Sequence, residues 1–117
     1  MTWHATVLTL FPEMFPGVLG MSIPGRGMDA GHWDLDVVDI RSFATDNHRT
    51  VDDTPFGGGP GMVMRADIVD QAITSVSNKE GPLVYLSPRG EKMNQKLAHE
   101  LAEEPGMSII CGRYEGI

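Results

Sequence analysis

The stretch Leu83 to Cys111, LVYLSPRGEKMNQKLAHELAEEPGMSIIC, reads as strand, loop, helix, strand. Leu83 to Leu86 is a short run of apolar and aromatic residues of the kind that fills a buried strand. Asn94 suits the cap of a helix, because its short side chain can accept from a backbone N–H of the first turn. Met93, Leu97 and Leu101 follow one another at four-residue spacing along that helix, and Pro105-Gly106 stops it. Met107 to Cys111 is a second apolar run. A strand, a helix and a further strand in that order make a βαβ unit, whose two strands run parallel.

Working outward, the rest of the chain repeats the alternation. Ala5 to Phe11 is rich in apolar and β-branched residues and predicts a first strand, ended by Pro12. Pro12-Glu13-Met14-Phe15 suits the start of a helix that Gly17 and Gly20 keep short. A second irregular or helical piece spans Gly25 to Gly31. Leu35, Val37, Val38 and Ile40 alternate in part with Asp34, Asp36 and Asp39, which predicts a strand less buried than the first. Ile68, Val69, Ala72, Ile73 and Val76 recur at helical spacing behind Asp67, so Ala66 to Ser77 is an amphipathic helix whose stripe is core. The expected fold class is therefore α/β, a parallel sheet with helices on both faces, in one domain.

Composition limits what such a domain can do. The 117 residues, 41% of them hydrophobic, suffice for one core. A net charge of −7 argues against nonspecific nucleic-acid binding through bulk electrostatics. Any RNA contact must be local, with Arg41, His48, Arg49, Arg65, Arg89 and Arg113 as candidates against their reading as solvated charges. The single cysteine, Cys111, excludes an internal disulfide and reads as a small buried hydrophobe. The four histidines show no ligand spacing with it, so no metal site is expected. With no apolar run near 20 residues, the chain is expected to have no membrane partner and to be cytoplasmic.

Two dense segments point to one site. Arg41 to Met62 lacks sustained periodicity, and it holds Asp52 and Asp53 followed by Gly57, Gly58, Gly59, Pro60 and Gly61. Glycine is costly inside regular elements, so this run implies positive φ or close approach of main chain to a ligand. In parallel sheets, ligands sit beyond the carboxyl ends of the strands, which selects the residues after Leu86 and after Cys111. The run is no Walker loop, since Met62-Val63-Met64 stands where Lys and Ser/Thr are needed, and no dinucleotide fingerprint follows the first strand. Asp52, Asp53 and Glu115 are the acids of the two dense stretches, Arg49 to Met62 and Cys111 to Ile117, each readable as a ligand group or as turn former, cap or ion-pair partner.

The block HRTVDDTPFGGGPGM at residues 48–62 resembles the corresponding segment of the bacterial tRNA (guanine-37-N1)-methyltransferase family. Leu10-Phe11-Pro12-Glu13-Met14-Phe15, Tyr85-Leu86-Ser87-Pro88 and the closing Gly112-Arg113-Tyr114-Glu115-Gly116-Ile117 agree, in the family's order. The resemblance implies a SPOUT-type, trefoil-knotted α/β domain that uses S-adenosyl-L-methionine to methylate N1 of guanosine 37, beside the tRNA anticodon, as a homodimer. It implies that Tyr85, Leu86, Ser87, Pro88, Gly112, Tyr114 and Glu115 line the cofactor pocket. It implies further that Gly57, Gly58, Gly59, Pro60 and Gly61 lie against the flipped-out guanosine while Asp52 reads a neighbouring base. In the family, the catalytic aspartate, its supporting arginine, the loop closing the knot and the carboxyl-terminal RNA-binding domain come after the segment that Ile117 ends. On that basis residues 1–117 are expected to be the amino-terminal part of the methyltransferase domain, with no catalytic base of their own, an incomplete knot and no turnover. The alternative is a non-catalytic anion- or nucleotide-binding α/β module, against which the acidity of Asp52 and Asp53 counts.

Overall fold

The structure is a computed structural model that describes residues 1–46, 48, 50–53 and 61–113. Its strands are β1 (Trp3–Thr9), β2 (Trp33–Asp39), β3 (Asp52–Asp53), β4 (Val63–Met64), β5 (Leu83–Tyr85) and β6 (Gly106–Ile110). Its α-helices are α1 (Ser22–Asp29), α2 (Ala66–Ser75) and α3 (Gln95–Glu103). Four strands form one sheet in the order β2-β1-β6-β5, and every pairing in it is parallel. The βαβ reading of Leu83 to Cys111 holds, with β5 and β6 adjacent and Tyr85 opposite Ile110.

β1 and β6 are the inner strands, paired on both edges, and in β1 and just past it Ala5 through Leu10 are buried. Side chains alternate between its faces. Leu8 and Leu10 join Ile40, Val51, Met64, Ile68, Val69, Ala72 and Val76 in one core, so α2 covers that face. On the other face, Trp3 Nε1 donates to the Leu101 carbonyl of α3 (3.1 Å) and Trp33 Nε1 to the Pro24 carbonyl of α1 (2.9 Å). Helices thus pack on both faces, as expected. Asn94 caps α3 through Oδ1, which accepts from the Leu97 N–H at 2.8 Å. β2, at the sheet edge, leaves Asp34 and Asp36 exposed, in keeping with its partial alternation.

Element ends depart from the sequence reading for local reasons. β1 and β2 each begin earlier than expected, since their register runs back to Trp3 opposite Trp33 and His4 Nδ1 meets Asp34 Oδ1 at 2.6 Å. The exposed polar pair His4 and Asp34 breaks the apolar pattern there and hid this extension. β1 also stops at Thr9, whose Oγ1 accepts from the Phe11 N–H (3.0 Å) and turns the chain. The expected short helix after Pro12 is a 3-10 turn, Pro12–Met14, and the piece expected from Gly25 is α1, beginning at Ser22. α2 ends at Ser75, β5 at Tyr85 and β6 at Ile110, each before the end read from sequence.

Candidate active site at the carboxyl ends of the strands

Because β5 and β6 are parallel neighbours, the segments that follow them leave the sheet side by side. Tyr85 and Leu86 are 44% and 66% exposed, so an aromatic and a branched aliphatic side chain stand uncovered at this rim. Tyr85 is the last residue of β5, opposite Ile110, and Leu86 follows it. Next comes a tight turn, in which the Gly90 N–H donates to the Ser87 carbonyl (3.0 Å) with Pro88 at the position that favours its fixed φ. Ser87 is half-buried and its Oγ accepts from the Arg89 N–H at 3.2 Å.

Across from this turn, the Cys111 N–H donates to the Leu8 carbonyl (2.8 Å), so β6 stays tied to β1 for one residue past its end. Cys111 is half-buried rather than fully buried as its apolar neighbours suggested, because it lies beyond Ile110 at the rim. Burial still pushes its thiol pKa up, which disfavours the thiolate. Gly112 and Arg113 are exposed, and the Arg113 guanidinium carbon sits 5.2 Å from the centre of the Phe11 ring. Tyr114 and Glu115, expected at the cofactor, lie outside the described residues.

The described part of the acidic segment holds regular elements that its lack of periodicity did not suggest. A 3-10 turn, Ile40–Phe43, follows β2, and Asp39 Oδ1 caps it by accepting from the Arg41 N–H (2.9 Å). Further on, β3 and β4 form an antiparallel ribbon, with Asp52 opposite Met64 and Asp53 opposite Val63. Two-residue strands are too short to produce an alternating pattern, which is why sequence reasoning missed them. Val51 and Met64, each 1% exposed, anchor the ribbon, and the Arg65 N–H donates to the Val51 carbonyl at 2.7 Å. Their core partners Leu10 and Ile40 sit just past β1 and β2, at the end of the sheet from which the two loops leave.

Within this ribbon Asp52 is half-buried, and Gly61 at its far side has φ +85°, a conformation glycine adopts without strain. Gly57, Gly58, Gly59 and Pro60 lie outside the described residues. Ahead of it, Asp46 Oδ1 accepts from the Thr50 N–H (2.8 Å), and the bonds from Thr50, its hydroxyl first, hold the Asp46 carboxyl below its usual pKa. Among the candidate RNA-contacting cations, Arg65 is engaged by Asp67 (2.7 Å), Arg113 stands over Phe11, His48 and Arg89 are exposed, and Arg49 lies outside the described residues. Sequence reasoning quoted Phe11 and Arg113 in separate blocks and missed that they meet. Only the strand order, which places β6 beside β1, could have joined them.

The family model described as tRNA (Guanine-1)-methyltransferase TrmD matches residues 3–117. The chain belongs to this family. Among TrmD-family relatives, the protein named tRNA (guanine-N(1)-)-methyltransferase in Rhodospirillum rubrum is 60% identical over 117 residues, covering 100% of this chain and 49% of the relative. The protein of the same name in Ehrlichia ruminantium strain Gardel is 54% identical over 119 residues, covering 100% of this chain and 51% of the relative. The crystal structure of the Aquifex aeolicus tRNA (m1G37) methyltransferase superposes with a TM-score of 0.84 at 35% identity, over 99% of this chain and 53% of that one. The chain therefore spans about half the length of the TrmD-family proteins it matches. Among the described residues, no helix is long and apolar enough to cross a membrane.

Proposed function

We propose that residues 1–117 form part of an enzyme that transfers a methyl group from S-adenosyl-L-methionine to N1 of guanosine 37 in tRNA. Membership of the TrmD family supports the reaction class. The single observation that carries the site is the uncovered rim after β5. An adenosine moiety is flat and largely apolar on its faces and polar at its edges. Tyr85 and Leu86 offer it exposed apolar surface, and the main chain of the Ser87–Gly90 turn and of Gly112 offers edge contacts. Tyr114 and Glu115 belong to the same pocket in this reading.

Adenosylmethionine, when bound, supplies an electrophilic methyl. What the chain itself must do is hold the guanine in line and keep water out, because N1 of neutral guanine must lose its proton as the methyl arrives. We assign the proton acceptor to no residue of this chain. Asp52 reads a base next to the target, while Gly57, Gly58, Gly59, Pro60 and Gly61 let backbone lie against a guanosine turned out of its stack, whose pairing edge then needs new hydrogen-bond partners. The reading carries with it a homodimer, a knotted methyltransferase domain of which residues 1–117 are the amino-terminal part, a further RNA-binding domain and a cytoplasmic setting shared with tRNA.

The test is a Gly59→Val substitution in a protein of the relatives' full length. Methylation of an unmodified tRNA transcript should be lost, adenosylmethionine affinity should stay within about twofold of wild type, and thermal denaturation should show an intact fold. A folded variant with wild-type turnover would reduce the glycine run to a structural turn.

A further inference from the structure

The loops that leave β1 and β6 are joined by a contact between an aromatic ring and a cation. The Arg113 guanidinium carbon lies 5.2 Å from the Phe11 ring centre, within the distance at which a cation is attracted to a ring face. Phe11 is not placed by that contact. It packs against the core shared by Leu8, Leu10 and Ile40, its N–H donates to Thr9 Oγ1 (3.0 Å), and its carbonyl accepts from the Met14 N–H (3.0 Å). The ring is therefore a fixed platform, oriented by β1 and the turn after it.

Arg113, by contrast, stands on an exposed segment just past the last bond that ties β6 to β1, the one between the Cys111 N–H and the Leu8 carbonyl. A further tie, at Arg113, is to the ring of Phe11. Gly112 lies between these two ties, and with no side chain of its own it takes its course from them. We propose that Phe11 is a positioning residue for the cofactor crevice: its ring holds the Arg113 guanidinium and so fixes the path of main chain through Gly112. The inference rests on the functional reading above, in which Gly112 approaches adenosylmethionine. A planar guanidinium stacks on a ring face in a way that a lysine ammonium does not reproduce, so the pairing calls for an arginine over an aromatic ring.

The experiment uses a protein of the relatives' full length and two substitutions at one position. Phe11→Leu keeps the apolar anchor and removes the ring face, whereas Phe11→Tyr keeps both. The leucine variant should raise the KM for adenosylmethionine by roughly two- to fivefold, the fold-change expected for an exposed cation–ring contact. Its KM for tRNA should not change, and the tyrosine variant should behave as wild type. A leucine variant with wild-type KM, or a tyrosine variant as impaired as the leucine one, would overturn the proposal. A double-mutant cycle on thermal unfolding, pairing Phe11→Leu with Arg113→Gln, tests the contact without ligand. Non-additive changes support it and additive ones overturn it. A wild-type protein that binds no adenosylmethionine overturns the functional reading instead, whatever the cycle shows.

Discussion

At the amino ends of the strands, backbones crowd together until no side chain fits between them; at the carboxyl end of β5, Tyr85 and Leu86 stay partly uncovered, as the side chain of Leu83 does at its start. A Cβ built on Gly81 would lie 2.0 Å from the Gly106 carbonyl oxygen, and one on Gly106 would lie 2.1 Å from that of His4. The His4 N–H donates to the Pro105 carbonyl and the Ser108 N–H to that of Pro82, so three strand entrances are laced into one layer. Where the loops after β5 and β6 leave the sheet, the Cys111 N–H still donates to the Leu8 carbonyl, but Tyr85 and Leu86 stay 44% and 66% exposed. One end of the sheet is spent on holding the fold, which leaves the other free to be shaped for a ligand.

Substitutions at the two ends should therefore fail differently. The largest expected effect is at the crowded end: Gly81→Ala combines a clash with backbone and a residue forced to φ +97°. It should cost roughly 2–5 kcal/mol by adding overpacking to strain, read as a fall in the denaturant midpoint of this chain. A variant of unchanged stability would show that the amino end is slack. Next in size is Gly112→Val in a protein of the relatives' length. Adenosylmethionine affinity should fall about tenfold or more by calorimetry while the melting temperature barely moves, since an exposed rim position carries little of the fold. If stability falls as well, the two ends of the sheet do not divide folding from binding.

The smallest effect lies at the carboxyl end of β6. Burial pushes the Cys111 thiol pKa up from its usual value of 9.0, so the folded chain keeps the proton at pH values where an unfolded thiol gives it up. The stability this contributes is complete below the unfolded pKa and is lost as pH rises through the folded one. Alkylation of the native protein by iodoacetamide should accordingly be slow at neutral pH, and it should overtake a denatured control at no pH below that value. Fast modification at neutral pH would place Cys111 in the open crevice.

What the sequence made legible follows from how local each signal is. The stripe of Ile68, Val69, Ala72 and Val76 and the Asn94 cap are set within a few residues, and both stand in the structure as read. The alternation of strands and helices predicted the parallel sheet, but its order β2-β1-β6-β5 depends on pairings between distant segments that no local pattern reports. The ribbon of β3 and β4 was illegible for the opposite reason, since its evidence is only the two isolated core residues Val51 and Met64. At the site, the rule that ligands gather beyond strand carboxyl ends picked both loops. It could not say that Phe11, from a third loop, would reach Arg113.

The ribbon below the glycine run bears on chain entropy. By setting Asp53 beside Val63 and locking Val51 and Met64 into the core, the fold itself meets the cost of bringing the two ends of that segment together. Once the neck is closed, extra chain between the two strands adds little closure entropy, about 0.6 kcal/mol for each doubling in length. Glycines that would loosen an unsupported segment can thus gather between Asp53 and Val63 with small consequence for the stability of the domain. Selection on that stretch is left to answer to whatever it touches.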